Sequence, residues 1–218
     1  MGLSARIKIG IRRFLLLFYI LLTILRTVYA KQVDEEYWKV VTRRAEKIVE
    51  TLELNDTEKE ERVRDIIAMQ YVNLSGIHDT RDEEIKGVEE RKDLDQATAQ
   101  KRVGKIRNRA DKKIKKLHRR YLELLSAELT PEQINRVKDG MTYGILDHTY
   151  NAYLSLLPSL TPEQREKIME WLVEAREIAM DAGSSEEKLA CFGKYKGKIN
   201  NYISAEGYDL KKAEKQRR

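Results

Sequence analysis

Apolar residues recur at three- and four-residue steps along most of the chain, which is the period of an amphipathic α-helix. The first long segment shows this pattern at Val63, Ile67, Tyr71, Leu74 and Ile77. A second segment repeats it from Val103 to Leu124. No stretch alternates apolar and polar residues between turn dipeptides, as a β-hairpin would. The pattern therefore predicts an all-α protein.

Two five-residue segments predict where helices begin. Leu129–Gln133 and Leu160–Gln164 share the sequence Leu-Thr-Pro-Glu-Gln. Each places Thr at the helix cap, Pro at the first helical position, and Gln where its side chain reaches back to the cap amide. Together with the apolar period, such signals predict helices at about 34–53, 57–91, 95–128, 131–141, 146–157, 162–182 and 186–205, and a short one after Tyr208.

The two longest predicted helices are expected to form an antiparallel hairpin, because only a short polar turn near 91–95 separates them. Residues 57–93 contain eleven acidic and seven basic residues. Residues 101–120 contain eleven basic residues and one acid, Asp111. We expect opposite charges to face each other along the hairpin. The predicted architecture is a helical bundle with a long antiparallel helical hairpin.

The first 30 residues have the layout of a secretory signal peptide. A basic stretch precedes twelve residues, Phe14–Leu25, of which all but one are apolar. As a helix these would extend about 18 Å, too short for a bilayer core of about 30 Å. Val28 and Ala30 supply the small residues of a cleavage site. We expect cleavage after Ala30, a single helical domain over 31–218, and an extracytoplasmic (periplasmic or secreted) protein without a stable membrane anchor.

The net positive charge of the chain comes mainly from these first 30 residues. The chain has 42 basic and 36 acidic residues, a net charge of +6. Five of the basic residues and none of the acids fall in residues 1–30, so the remainder has 37 basic and 36 acidic residues. A nearly neutral mature chain gives no support for a nucleic-acid partner. The rival interpretation of 101–120, a stripe for nucleic acid or another anionic polymer, is weakened by the neighbouring acids.

Few features of the sequence indicate catalysis. The only cysteine is Cys191, so no intramolecular disulfide can form, and its apolar neighbours favour a buried thiol. The sequence has no catalytic-triad order, metal-binding cysteine cluster or glycine-rich phosphate loop. These observations favour a non-catalytic protein over an enzyme, with no cofactor and no metal.

One candidate polar site consists of His78, Asp82 and Asp181. His78 and Asp82 are four residues apart on one helical face, a spacing that supports metal ligation or acid–base chemistry. A surface ion-pair network explains the same spacing at least as well, and no second histidine lies nearby in the sequence. In an enzyme, His78 or Asp181 would act in proton transfer.

Candidate ligand-binding residues concentrate in the C-terminal half. Eight of the twelve aromatic residues after residue 30 come after residue 142. Aromatic rings with a polar handle suit stacking on a sugar, and cations and amides can bind its carboxylate or hydroxyls. Aromatic residues at helical spacing also fit a packed core. The candidates are Tyr143, Arg176, Lys194, Tyr195, Asn200 and Asn201.

Several segments spread over the whole predicted mature chain carry a likeness to one family. They are Gln70–Tyr71, Ile77–Asp79, Leu125–Gln133, Lys138–Gly144, Ala175–Glu177, Met180–Ser185, Phe192–Gly197 and Ile199–Tyr202. In these segments the chain resembles domain-of-unknown-function family 3826. The resemblance implies an exported helical protein with sugar-binding character and an association with polysaccharide use. It supplies no catalytic residues.

The two Leu-Thr-Pro-Glu-Gln segments also resemble the LTxxQ elements of Spy-like periplasmic chaperones, although the same residues make a generic capping box. Three functional classes therefore compete. The leading hypothesis is an exported, non-catalytic carbohydrate-binding protein whose partner is an oligo- or polysaccharide. The alternatives are a Spy-like chaperone and a polysaccharide-processing enzyme.

Overall fold

The structure is a computed structural model that describes residues 35–217, without the side chains of residues 214, 216 and 217. The predicted signal peptide, residues 1–30, lies outside the described residues. By its contacts the chain divides into two compact units, Met1–Arg43 and Arg44–Arg218. Everything described below concerns the second unit, apart from the residues that α1 contributes to the first.

All regular elements within residues 35–217 are α-helices, which confirms the all-α prediction. They are α1 (35–50), α2 (Thr57–Glu89), α3 (Gln96–Glu128), α4 (Pro131–Met141), α5 (Ile145–Leu156), α6 (Pro162–Ala179), α7 (Ser185–Ala205) and α8 (Leu210–Arg217). None of the helices in this range has the length and apolar character needed to cross a membrane.

The helix starts follow from local capping, as the sequence predicts. The Thr130 hydroxyl accepts a hydrogen bond from the Gln133 amide at 3.3 Å, and the Gln133 side chain accepts one from the Thr130 amide at 3.1 Å. Thr161 and Gln164 repeat this arrangement before α6. The predicted helix ends deviate from the structure slightly more than the predicted helix starts do. Helix α1, for example, ends at 50 rather than 53. Glu53 adopts a left-handed conformation, with φ of 53°, that does not continue a helix.

Helices α2 and α3 form the predicted antiparallel hairpin. At its base the Arg62 guanidinium donates to both carboxylate oxygens of Glu128, at 3.0 and 3.1 Å. Towards its tip Arg109 pairs with Glu84. Charge pairing is nevertheless much less extensive than expected. Among the described residues, Arg109 is the only one of the eleven basic side chains in 101–120 that has a carboxylate oxygen within 4.0 Å.

Helices α5, α6 and α7 enclose an apolar core, here called the C-terminal core. Its largest members are Leu146, Tyr153, Leu157, Leu160, Ile168, Leu172, Phe192, Tyr195, Ile199 and Ile203. At its margin the rings of Trp171 and Tyr202 meet edge to face, with centroids 5.3 Å apart. Most of the aromatic residues that concentrate in this half of the sequence therefore serve packing.

Candidate functional site

Two histidines from different helices bind the same residue, Asp181, in the turn after α6. His118 of α3 donates from Nδ1 to the Asp181 carboxylate oxygen Oδ2 at 2.7 Å. His78 of α2 donates from Nε2 to the Asp181 backbone carbonyl at 2.8 Å. We call His78, His118, Glu177 and Asp181 the His–Asp cluster. It joins the α2–α3 hairpin to the end of α6.

His78 is tightly enclosed in this cluster. Only 6% of the residue is exposed. A Cβ atom added to Gly183 would lie 2.7 Å from its ring atom Cγ, so glycine is what permits the close approach. Because a carbonyl only accepts, Nε2 carries the hydrogen in the bond to Asp181. The other ring nitrogen, Nδ1, is buried without a hydrogen-bond partner within residues 35–217.

His118 is oriented by the carboxylate of Asp181. The hydrogen bond to Asp181 raises the pKa of His118, and partial burial opposes this rise. Its second nitrogen, Nε2, lies 3.8 Å from the Glu177 oxygen Oε2. The Asp181 oxygen Oδ1 is buried and has no hydrogen-bond partner in the described part of the chain. The pair thus has an ordered hydrogen bond and an unused acceptor atom.

A further set of ion pairs holds Glu177 in place. Lys138 of α4 donates to both carboxylate oxygens of Glu177, at 2.8 and 2.9 Å. The neighbouring Arg176 donates to the side chains of Asp139 at 2.8 Å and Asn135 at 2.7 Å. Burial raises the pKa of Asp139, and the Arg176 guanidinium opposes that rise. Arg176, a predicted ligand-binding residue, therefore fastens α6 to α4.

An open groove with a volume of about 1120 Å³ adjoins the His–Asp cluster. Residues from α2, α3, α6 and α7 line it. We call it the basic groove because its lining includes six cations, which are Arg81, Lys112, Lys115, Lys116, Arg119 and Lys194. The acids Asp111 and Glu187 also lie along it. Apolar surface comes from Ile114, Ile178 and Ala182. Half of Ile178 is exposed, so its side chain adds apolar surface to the groove.

A model of the family described as "Protein of unknown function (DUF3826)" matches residues 38–218. The chain belongs to this family. No match was found among curated proteins. Membership in DUF3826 gives the chain a family without assigning an activity to any of its residues.

Segments that carry the DUF3826 likeness meet at the His–Asp cluster, although they are far apart in the sequence. Ile77–Asp79 supplies His78, Ala175–Glu177 supplies Glu177, and Met180–Ser185 supplies Asp181 and Gly183. Lys138–Gly144 contributes the lysine that holds Glu177. These segments therefore meet in space at the cluster, whereas His118 comes from none of them.

Three of the predicted site residues line the basic groove of this DUF3826 protein, namely His78, Asp181 and Lys194. Asp82 lies beside it and accepts from the Arg81 guanidinium at 2.7 and 3.0 Å. That hydrogen bond lowers the pKa of Asp82. Within residues 35–217, no group of three or more His, Cys, Asp and Glu side chains could hold a metal ion.

The other predicted residues lie elsewhere. Tyr195 is 9% exposed and packs in the C-terminal core, so its ring is not positioned as a stacking surface for a sugar. Asn200 accepts from the Tyr153 hydroxyl at 2.6 Å and lines a second groove of about 1030 Å³. Asn201 is exposed on α7. Tyr143 is 58% exposed, and its hydroxyl lies 2.8 Å from the Ser185 hydroxyl.

Beside Tyr143 lies a buried amine that sequence reasoning missed. Lys188 donates to the Met141 carbonyl at 2.8 Å. Its Nζ atom lies 5.5 Å from the ring centroid of Tyr71 and 5.7 Å from that of Tyr143. Burial is the main cause that lowers the pKa of Lys188 to about 8. The two rings partly compensate the ammonium for its lost water.

Sequence reasoning also missed His118 and Glu177. The four-residue spacing between Glu177 and Asp181 is a signal that both carboxylates lie on one face at the end of α6. Nothing in the sequence indicates that His118, 63 residues before Asp181, would be their partner.

Proposed function

We propose that this DUF3826 protein is an exported, non-catalytic carbohydrate-binding protein, and that it binds its ligand in the basic groove. One observation carries the proposal. The His118–Asp181 hydrogen-bonding pair, five cations that have no ion-pair partner among the described residues, and exposed apolar surface all line one open groove. Ligand sites commonly combine apolar lining with a few convergent polar groups.

The groove matches the surface of an acidic sugar. The C–H face of a pyranose ring would lie against Ile178 and Ala182, whereas one of its hydroxyls would bond to Nε2 of His118. A uronate carboxylate would be bound by cations at the rim such as Lys194. Neutral sugars leave these cations unused, so the proposal favours carbohydrates that contain uronic acid.

The second groove, lined by Tyr153, Asn200 and Tyr208, is a weaker candidate despite its aromatic residues. The Tyr153 hydroxyl already donates to Asn200. The Tyr208 hydroxyl lies 3.0 Å from both the Ser159 carbonyl and the Gln164 side-chain oxygen. Because both hydroxyls are engaged within the fold, they are less available to a sugar. We call this second site the aromatic groove.

A specific observation favours an enzyme as the second candidate. A histidine whose Nδ1 is bonded to a carboxylate is a common arrangement for general acid–base catalysis. The His118–Asp181 pair has this geometry at the edge of a groove. A polysaccharide-processing enzyme would use it to move a proton.

No comparable observation supports the chaperone alternative. The two Leu-Thr-Pro-Glu-Gln segments are fully used as capping boxes. Their glutamines also bond within the fold, Gln133 to the Leu52 carbonyl and Gln164 to the Glu206 carboxylate. Local helix capping therefore accounts for these segments.

The test is a glycan array followed by calorimetry with short oligogalacturonates and with neutral oligosaccharides of equal length. Two exposed lysines on α7 offer a matched pair, because Lys194 lines the basic groove and Lys196 lines the aromatic groove. We expect Lys194→Ala to weaken oligogalacturonate binding roughly tenfold, as the loss of one charged hydrogen bond does. Lys196→Ala should leave the affinity unchanged.

Each alternative has its own outcome in the same experiment. Equal effects of the two lysine variants, or binding only to neutral glycans, would contradict the proposed site. Release of new reducing or unsaturated sugar ends that requires His118 would favour the enzyme. Suppression of client aggregation with no glycan binding would favour the chaperone.

A further inference from the structure

The basic residues of α3 remain largely unneutralised. All eleven basic side chains in 101–120 are exposed. Ten of them have no carboxylate oxygen within 4.0 Å in the described part of the chain. A surface of this kind has a strong positive potential that attracts anions, because exposed charges interact over about 10 Å at moderate salt.

Two acids of α2 pair within their own helix rather than with a base of α3. Asp65 pairs with Arg64 at 2.8 Å. Asp82 pairs with Arg81 in the same way, at 2.7 Å. Of the acids of α2, Glu84 alone has an oxygen within 4.0 Å of a base of α3 among the described residues. The hairpin thus keeps an excess of positive charge on one of its two helices.

These cations continue directly from the basic groove. A shallow depression of about 580 Å³ on α3 is lined by Lys105, Asn108, Arg109, Lys112, Lys113 and Lys116. It shares Lys112 and Lys116 with the basic groove. From Lys105 to Arg119 the helix rises about 21 Å, at about 1.5 Å per residue. We call the cations lining this depression the α3 track.

We propose that the α3 track extends the basic groove into a binding site for an acidic polysaccharide chain. The inference deepens the proposed function and rests on it. The groove takes the first few sugar units of the chain, and the carboxylates of later units lie along the lysines of the track. Several weak ionic contacts on one polymer add up through effective concentration, so a long chain binds more tightly than a short one.

Residues on the track favour a polysaccharide over a single-stranded nucleic acid. Proteins that bind single strands place aromatic rings where the bases stack. The segment 101–120 contains no Phe, Tyr or Trp. Its side chains offer many ammonium and guanidinium groups, which suit regularly spaced carboxylates.

The experiment measures binding of the protein to three ligands at low and high salt. They are a trimer of galacturonate, a long polygalacturonate and a single-stranded DNA of similar charge. The track variant is the double substitution Lys105→Gln/Lys113→Gln. The matched control, Lys47→Gln/Lys196→Gln, removes the same charge from exposed lysines outside the track and the basic groove.

We expect the track variant to weaken polygalacturonate binding about tenfold at low salt and to leave trimer binding unchanged. The control variant should change neither, and the effect should fade at high salt as ionic contacts are screened. Lys194→Ala should weaken the binding of both the trimer and the polymer, because Lys194 lines the basic groove.

The remaining outcomes separate failure of the inference from failure of the proposed function. Two results would overturn the track proposal alone. One is a polymer that binds no more tightly than the trimer. The other is an equal loss of polymer affinity in the track and control variants. If the polymer binds through the track and the trimer does not bind, the groove proposal fails, and with it the inference that the track extends the groove. DNA binding as tight as polygalacturonate binding, with the same sensitivity to the track variant, would overturn the polysaccharide assignment.

Discussion

The C-terminal core and the His–Asp cluster differ in how completely their polar groups are satisfied. In the core, the hydroxyl of the buried Tyr153 donates to Asn200 at 2.6 Å. In and beside the cluster, His78 Nδ1, Arg176 Nε and Asp181 Oδ1 are buried without a partner within residues 35–217. Buried polar groups are normally hydrogen-bonded, and exceptions concentrate at functional sites. The core therefore satisfies its own polar groups, whereas the cluster retains unpartnered polar atoms beside the groove that we propose as the ligand site.

The largest effect should come from the core. Tyr195→Ala removes a ring that packs among the residues of α5, α6 and α7. We expect the free energy of unfolding to fall by about 3 to 4 kcal/mol, as for other large-to-small core substitutions. Glycan affinity per folded molecule should not change. Urea denaturation and calorimetry on the same variant measure both quantities, and a loss of affinity without a loss of stability would move Tyr195 into the site.

A somewhat smaller loss is expected at the boundary between the two regions. Arg176→Met leaves Asp139 without the guanidinium that binds it. Removing one partner of a buried ion pair costs about 3 to 5 kcal/mol. Because the Asp139 side chain remains 24% exposed, we expect about 2 kcal/mol.

The double variant Arg176→Met/Asp139→Asn distinguishes this explanation from a simple loss of packing. It should recover part of the lost stability in urea denaturation, since no carboxylate is then left unpaired. A double variant less stable than Arg176→Met would show that the ion pair is not the cause.

Within the cluster, Gly183→Ala should be destabilising by about 1 to 2 kcal/mol, because the added methyl group would clash with the His78 ring. Gly193 provides the control, since nothing lies within 4 Å of a Cβ placed there. In helix α7, Gly193→Ala should raise stability by about 0.5 to 1 kcal/mol. Thermal or urea unfolding of both variants tests the close approach, and equal behaviour of the two would argue against it.

The smallest expected change in stability comes from the His118–Asp181 pair, and it depends on pH. Because Asp181 raises the pKa of His118, the folded protein holds this proton more tightly than the unfolded chain. The stabilisation is complete below the unfolded pKa of about 6.5 and is lost as pH rises through the folded pKa. We expect His118→Gln to lower stability by at most about 1 kcal/mol in mild acid and to have less effect in mild alkali.

Unfolding titrations of the wild type and His118→Gln across this pH range test that expectation. A difference that grows towards alkaline pH would have the wrong sign for a histidine stabilised in its charged form.

Sequence reasoning predicted the helices better than the site, for a physical reason. Thr130 and Thr161 cap their helices through residues three positions away, so the signal is local. His118 and Asp181 are 63 residues apart, and only the packing of α3 against the end of α6 brings them together. From the sequence alone, Tyr195 could equally well be a core residue or a ligand-binding residue. Tertiary packing decided that it belongs to the core.

Asp181 also ties both helices of the hairpin to the end of α6. Its carbonyl and its carboxylate each hold one histidine, from α2 and from α3. Any local opening that separates the hairpin from α6 would break both bonds together and remove a wall of the basic groove. A sugar bound in that groove, as we propose, would therefore slow amide hydrogen exchange in α2 and α3 at residues that it never touches.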